Sequence, residues 1–138
     1  MNSVKNGKYT IGKLALEANV NVETVRYYQR RKLLRVPPRP DGMGFRQYNT
    51  EDLTRIRFIQ NARDLGFSLN DVQEFLNLQD SDEYGDTDAR SLANRKMEIV
   101  RQKINTLEQI QDGLEQIANG EITNGHRARV FQEAVLQA

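Results

Sequence analysis

The chain has 138 residues, of which 38% are hydrophobic and 28% are charged, and its formal net charge is +1. This length suits about one domain, and the composition is that of a globular protein rather than a disordered one. The sequence contains no cysteine, which excludes disulfides, thiol redox sensing and thiolate metal sites. No apolar run approaches the roughly 20 residues of a membrane-spanning helix, so we expect a cytoplasmic protein with no membrane contact.

The small net charge hides an asymmetry between the two halves of the chain. Residues 1–64 hold 13 Lys and Arg against 6 Asp and Glu, whereas residues 65–138 hold 7 against 13. A basic half beside an acidic half favours a polyanionic partner for the basic half. Two solvated surfaces of unlike composition would give the same counts, so motifs have to decide whether the basic half binds a polyanion.

The first elements predicted from the sequence are two short helices joined by a tight turn. Thr10 is a candidate N-cap for a helix from residue 11, and Asn21 is a candidate N-cap for a helix over 22–29. Asn19 between them tolerates a left-handed backbone conformation. This arrangement predicts a helix-turn-helix.

A wing is expected next. All three prolines of the chain lie at 37, 38 and 40, and Asp41-Gly42 follows them. Prolines cannot continue a helix, and Asp-Gly is a strong turn signal. Two short extended arms around this turn predict a β-hairpin wing, with the Pro-rich arm at its edge.

Two further helices and an acidic loop follow the wing. Asn49 is expected to cap one helix, which ends at Gly66. Ser68 and Asp71 have the spacing of a capping box for the next helix. Residues 80–88 are rich in Asp and Glu and predict a connecting loop.

A long helix is predicted over 89–118, where there is no proline and the apolar positions alternate in spacing between four and three. This heptad seam is typical of a coiled coil. At 1.5 Å per residue the helix would be about 45 Å long, and the preceding chain is too small to cover it, so a second copy is the expected cover. The seam consists of Ala93, Met97, Val100, Ile104, Leu107, Gln111, Leu114 and Ala118. The expected organisation is therefore a DNA-binding domain (1–79), a connecting loop (80–88), a dimerisation helix (89–118), and a loop with a short helix (119–138).

These segments in this order resemble the MerR family of transcription regulators. The resemblance rests on residues 9–15 (YTIGKLA), 22–34 (VETVRYYQRRKLL), 44–48 (GFRQY) and 63–69 (RDLGFSL), together with the long helix. It implies a mainly α fold with a winged helix-turn-helix and an antiparallel coiled-coil homodimer. It further implies binding to an inverted repeat in a promoter spacer, and activation or repression by distorting that DNA so that RNA polymerase engages it differently.

The expected DNA contacts combine residue chemistry with this resemblance. An arginine on the second helix can grip a guanine edge or a phosphate, and the adjacent Tyr27 and Tyr28 point about 100° apart, so one can reach DNA while the other packs inward. Arg46 and Tyr48 alternate on one arm of the wing and would share a face, whereas Phe45 is assigned to packing. The expected set is Lys13, Glu23, Thr24, Arg26, Tyr27, Tyr28, Arg46, Tyr48 and Arg63.

The sequence does not indicate which signal the protein responds to. Metal sensors of this family use cysteines near the start of the dimer helix and in the loop after it, and this chain has Asp86 near the first position and no cysteine at either. Thiophilic metals are therefore not expected, and no metal or other cofactor is assigned. The acidic loop with Glu121 and His126 could hold a hard ion between subunits, but a solvated acidic loop at the start of a helix, favoured by the helix dipole, is the preferred explanation.

Two alternatives come from other classes of protein. An accessory DNA-binding protein such as an excisionase-like factor shares the winged unit, but such proteins lack a long dimer helix. An enzyme is disfavoured because the chain has no cysteine, one histidine, no Gly-rich phosphate loop and no paired-carboxylate motif.

Overall fold

The computed structural model describes residues 8–40, 44–122, 130 and 131. Its helices are α1 (Ile11–Glu17), α2 (Val22–Arg30), α3 (Thr50–Asp64), α4 (Leu69–Asp80) and α5 (Asp86–Ala118). The chain divides into two compact units, Met1–Ser81 and Asp82–Ala138. The expected mainly α fold is thus confirmed. Within the described residues, no helix is both long and apolar enough to cross a membrane.

The helix-turn-helix forms where the capping residues predict it. The Thr10 side chain accepts a hydrogen bond from the Lys13 backbone N–H, and Asn21 accepts one from Thr24. Each bond satisfies an N–H that the helix start would otherwise leave unpaired. Between the helices Asn19 has a φ of 58°, the left-handed conformation that asparagine tolerates.

The core of the first unit joins α1 and α2 to the later helices. Its most deeply buried side chains, each less than 2% exposed, are Tyr48, Leu14, Leu33, Ile56, Ile59, Val25 and Val72. Both α3 and α4 begin with a capping box, formed by Asn49 with Asp52 and by Ser68 with Asp71. After α3 the chain turns at Gly66, whose φ is 91°, as expected for a glycine beyond a helix C-terminus.

The segment between α2 and α3 differs from the expected β-hairpin. The described residues 35–40 and 44–48 form no strand with each other, and the turn residues 41–43 lie outside the described part. The single bridge here pairs Tyr9 with Tyr48, through N···O distances of 2.9 and 2.8 Å. Prolines lack the N–H that a strand ladder needs, so the Pro-rich arm is held by side chains instead. We keep the name wing for residues 35–48.

The second unit is built around α5, which has 33 residues and is therefore about 50 Å long. It begins at Asp86, not Ala89, and α4 extends to Asp80, so the connection is shorter than the expected loop 80–88. Asp86 and Asp88 lie in the first turn of α5, where the helix dipole favours negative charge. Acidic residues expected in a loop thus belong to the helix.

The end of α5 packs closely against the C-terminal segment. Gly113 is buried, and a Cβ atom at this position would lie 2.6 Å from Cε1 of Phe131 and 3.6 Å from Cγ2 of Val130. Residues 130 and 131 are helical, and Val130 is only 3% exposed. The absence of a side chain at 113 is what allows this approach.

Candidate nucleic-acid interface

Helix α2 presents a polar face to solvent and buries the opposite one. Val25 and Tyr28 are buried against the core, while Glu23, Arg26 and Arg30 are exposed and Tyr27 is 40% exposed. Residues three and four apart lie on one side of a helix, so these four form a continuous outward face. Of the residues expected on this helix, Glu23, Arg26 and Tyr27 lie on that face, and Thr24 lies beside it, with its hydroxyl 2.9 Å from Oδ1 of Asn21.

The arginines on this face and next to it make only exposed side-chain contacts. Nη1 of Arg26 lies 3.3 Å from Oε2 of Glu23, with the two side chains 53% and 74% exposed. Such an exposed i,i+3 pair contributes little and leaves the guanidinium free to change partner. Arg30 and Arg31 each lie 5.8 Å from the centre of the Tyr27 ring, and Arg31 also donates to the Tyr27 hydroxyl at 2.9 Å.

Tyr28 is a core residue, and its expected DNA contact does not fit the structure. The side chain is 5% exposed, and its hydroxyl donates to Oε1 of Gln60 at 3.1 Å. Burial raises the pKa of Tyr28, while the positive charge of Arg63 opposes the rise, so the phenol is neutral at physiological pH. The adjacent tyrosines thus divide as their 100° separation predicts, with Tyr27 outward and Tyr28 inward.

On the wing, the structure corrects the assignments of Tyr48 and Phe45. Tyr48 is 1% exposed, and its hydroxyl accepts a hydrogen bond from Nε2 of Gln29 at 2.9 Å, so this ring supports the wing from inside. Phe45, expected to pack, is 79% exposed. The alternation itself is present, since residues 45 and 47 are exposed while 46 is half-buried and 48 is buried. The expectation was wrong about which of the two faces lies inward.

Arg46, which lies between these two wing residues, is half-buried. Its Nη1 donates to the carbonyl oxygen of Pro37 at 2.6 Å, which joins the two arms of the wing where the prolines cannot. Arg46 therefore helps to shape the wing in addition to any contact that it makes with DNA. The remaining two residues of the expected set, Lys13 and Arg63, are exposed.

An ion pair that sequence reasoning missed fixes the root of the wing. Arg35 donates from Nε and Nη2 to the two carboxylate oxygens of Asp52, both at 2.9 Å. Asp52 is 3% exposed and also accepts from the backbone N–H of Asn49 at 2.8 Å. The hydrogen bonds that Arg35 donates to the Asp52 carboxylate raise the pKa of Arg35. The Asn49–Asp52 spacing signals a capping box, but nothing in the sequence identifies Arg35 as the partner.

Two further side chains hold the segment after α2 in place. Gln29 donates to the carbonyl oxygen of Arg35 at 3.2 Å, in addition to the Tyr48 hydroxyl. Arg55 donates from Nε to the carbonyl oxygen of Leu33 at 2.5 Å and from Nη1 to Asp80 at 2.6 Å. The wing is therefore attached to α2 and α3 by side chains along its root.

In the second unit, the heptad seam is largely exposed. Met97, Ile104, Leu107 and Leu114 have 43%, 48%, 53% and 53% of their surface accessible. Gln111 and Ala118 are also exposed, whereas Ala93 and Val100 are half-buried. The described chain thus carries an uncovered apolar stripe along α5.

The described residues offer little support for a metal site. No three His, Asp or Glu side chains among them are placed to hold an ion, and His126 lies outside the described part. Asp80, one of the acidic candidates, pairs with Arg55. Its pKa is lowered chiefly by a hydrogen bond from Gln79, and also by Arg55.

Comparison with known proteins gives consistent matches along most of the chain. Residues 9–79 match the model of the MerR HTH family regulatory protein, and residues 53–117 match the MerR DNA-binding model. A mercuric resistance operon regulatory protein from Serratia marcescens is 43% identical over 108 residues, which are 78% of this chain and 73% of that protein. The HTH-type transcriptional regulator ZntR of Escherichia coli K12 is 34% identical over 110 residues, covering 79% of this chain and 77% of the relative.

Solved structures agree with these matches. HiNmlR, a MerR family regulator lacking the sensor domain and bound to promoter DNA, is 25% identical with a TM-score of 0.60, over 81% of this chain and 88% of the other. The transcription regulator PbrR691 from Ralstonia metallidurans CH34, in complex with lead(II), is 31% identical with a TM-score of 0.51, over 80% and 86%. With two family models and relatives of this similarity, the chain belongs to the MerR family of DNA-binding transcription regulators.

Proposed function

We propose that this regulator binds an inverted-repeat operator in a promoter spacer as a homodimer and controls transcription by distorting that DNA. The observation that carries the proposal is the outward face of α2, where Arg26, Tyr27 and Arg30 stand exposed above a buried opposite face. A recognition helix meets base edges in the major groove with its first turns. Arginine there can bind a guanine edge or a phosphate.

The exposed stripe on α5 supports the dimer. A large apolar patch on a soluble chain marks an interaction surface, and a heptad seam is complementary to another copy of itself. The family resemblance implies the antiparallel arrangement. We assign DNA binding to residues 1–79, the connection to 80–88, dimerisation to the helix that includes 89–118, and a loop with a short helix to 119–138.

Regulation by DNA shape follows from binding between promoter elements. A dimer that bends or untwists a spacer changes how RNA polymerase meets the two flanking elements, and the deformation energy depends on bases that the protein does not touch. The role is not enzymatic, and because its ligand is promoter DNA, we place the protein in the cytoplasm.

The effector is not the thiophilic metal suggested by the names of the relatives. A relative is named for mercuric resistance and a structural neighbour is in complex with lead(II), but this chain has no cysteine. Soft ions prefer thiolate ligands. We propose that this protein has lost, or never had, a response to such ions.

The test of DNA binding is Arg26→Ala, measured by gel shift at fixed salt on a duplex that the wild-type protein selects from a randomised pool. Loss of a bidentate base contact should cost roughly 1–3 kcal/mol of binding free energy. Arg101→Ala is the matched control, because Arg101 also forms an exposed i,i+3 pair, at 3.6 Å from Glu98 in the second unit. Arg26→Ala with wild-type affinity would contradict the proposal, provided that circular dichroism shows both variants folded.

A further inference from the structure

Phe45 is the most exposed large apolar side chain in the described part of the protein, at 79%. It follows Gly44, whose φ of 73° is a backbone conformation natural to glycine. A phenyl ring kept in water forgoes the favourable free energy that its burial would give. A single surface phenylalanine needs no explanation by itself, so the inference depends on what surrounds it.

The surroundings of Phe45 are cationic. It lines an open depression of about 400 Å³ together with Arg26 of α2 and with Arg39 and Arg46 of the wing. Of the eight described residues that line it, three are arginines and none is Asp or Glu. A concave surface with this charge and one aromatic ring is complementary to a sugar-phosphate strand, which offers anionic oxygens next to apolar sugar edges.

The position of the depression between α2 and the wing suggests how DNA would fill it. One sugar-phosphate strand separates each major groove from the neighbouring minor groove. With α2 in the major groove, the strand that bounds this groove lies in the depression, and the wing reaches the minor groove beyond it. Proteins that bind the minor groove frequently insert Phe or another apolar side chain there.

We propose that Phe45 enters the minor groove next to each half-site and packs against deoxyribose and base edges there. This inference rests on the proposed DNA binding through α2. The contact of Phe45 with DNA would be apolar, whereas the arginines would contact phosphates through their charge. Replacing an arginine that neutralises a phosphate reduces the salt dependence of binding, because fewer counterions are released. Replacing Phe45 should lower affinity without changing that dependence.

The experiment compares Phe45→Ala, Phe45→Leu and Arg26→Ala on the duplex selected by the wild-type protein. Affinity is measured at several salt concentrations, and hydroxyl-radical footprinting is done at saturating protein. Phe45→Ala should bind about tenfold more weakly, with the wild-type salt slope and with sugar protection lost only at the minor-groove positions beside the half-sites. Phe45→Leu should keep most of the affinity and the protection.

Phe58→Ala is the control for removal of a phenyl ring from the same unit. Phe58 is 42% exposed on α3 and is outside the expected DNA-contacting set, so this variant should keep the wild-type affinity and footprint. Thermal melting verifies that each variant is folded.

Two results would overturn the inference. If Phe45→Ala keeps the wild-type affinity and footprint while Arg26→Ala binds weakly, Phe45 does not contact DNA, and the proposed function stands. If Phe45→Ala changes the sedimentation of the protein without DNA, the ring belongs to a protein contact instead. Wild-type binding by Arg26→Ala, in contrast, would contradict the proposed function itself.

Discussion

Replacing Asp52 tests whether the pair at the wing root stabilises the DNA-binding unit. Asp52→Ala removes two hydrogen bonds from Arg35 and one from the Asn49 backbone. Charge-assisted hydrogen bonds contribute about 1.5–3 kcal/mol each, but the Arg35 side chain is 48% exposed, so solvent screening places them at or below the lower end. Asn49 keeps its own capping bond to the backbone N–H of residue 52, so only the reciprocal half of the capping box is lost, which adds up to about 1 kcal/mol. We therefore expect the free energy of unfolding to fall by about 2–4 kcal/mol.

Urea denaturation at one fixed protein concentration measures this loss. The midpoint should move to lower urea with little change in slope, because the surface exposed on unfolding is nearly the same. Glu51→Ala is the control, since Glu51 is the exposed neighbour of Asp52 in the first turn of α3, and exposed substitutions usually change stability by no more than about 0.5 kcal/mol.

A double-mutant cycle separates the ion pair from the cap. Arg35→Ala alone leaves the Asp52 carboxylate, whose side chain is 4% exposed, without its cation, which is costly for a buried charge. The double variant Arg35→Ala/Asp52→Ala should lose clearly less free energy of unfolding than the sum of the losses in the two single variants. Strictly additive effects, or a loss below about 1 kcal/mol for Asp52→Ala, would refute the reasoning.

Three further predictions concern the dimer, metals and pH. Ile104→Asp with Leu107→Asp places charge in the apolar seam, so sedimentation should show monomers, and a persisting dimer would exclude the seam as the interface. Calorimetry should show no tight binding of Hg(II) or Cu(I), and stoichiometric tight binding would reveal ligands other than thiolates. Because its folded pKa is lowered from 3.8, Asp80 stabilises the protein above about pH 4 and loses this effect as the pH falls through the folded value. Wild type should therefore exceed Asp80→Asn in stability at pH 6, by less than about 1 kcal/mol for this half-exposed pair, and this excess should shrink as the pH falls below about 4. An excess that does not change with pH would mean that the charge of Asp80 is not the cause.

The parts of the fold that the sequence predicted depend on local interactions. Thr10, Asn21, Asn49 and Ser68 each cap the helix expected of them, because an N-cap bonds to a backbone N–H only three residues away. The left-handed Asn19 is equally local. Such features need no knowledge of the rest of the chain.

The wing was predicted poorly because distant partners decide its conformation. Arg35 meets Asp52, 17 residues along the chain, and Arg46 meets the carbonyl of Pro37, 9 residues back. No spacing rule connects such pairs. The inward direction of Tyr48 depends on its bridge to Tyr9 and on Gln29, and this determines which residues of the candidate interface face solvent.

Gln29 has a mechanical consequence for the complex with DNA. One amide group on the recognition helix donates to the Arg35 carbonyl in the first arm of the wing and to the Tyr48 hydroxyl in the second. Turning the wing relative to α2 would break both bonds, and the Arg35–Asp52 pair resists the same motion. The distance between the helix and the wing is therefore restrained before DNA binds. In the proposed complex, a duplex whose groove spacing differs from this distance would have to twist or compress to fit, or else these hydrogen bonds would have to break.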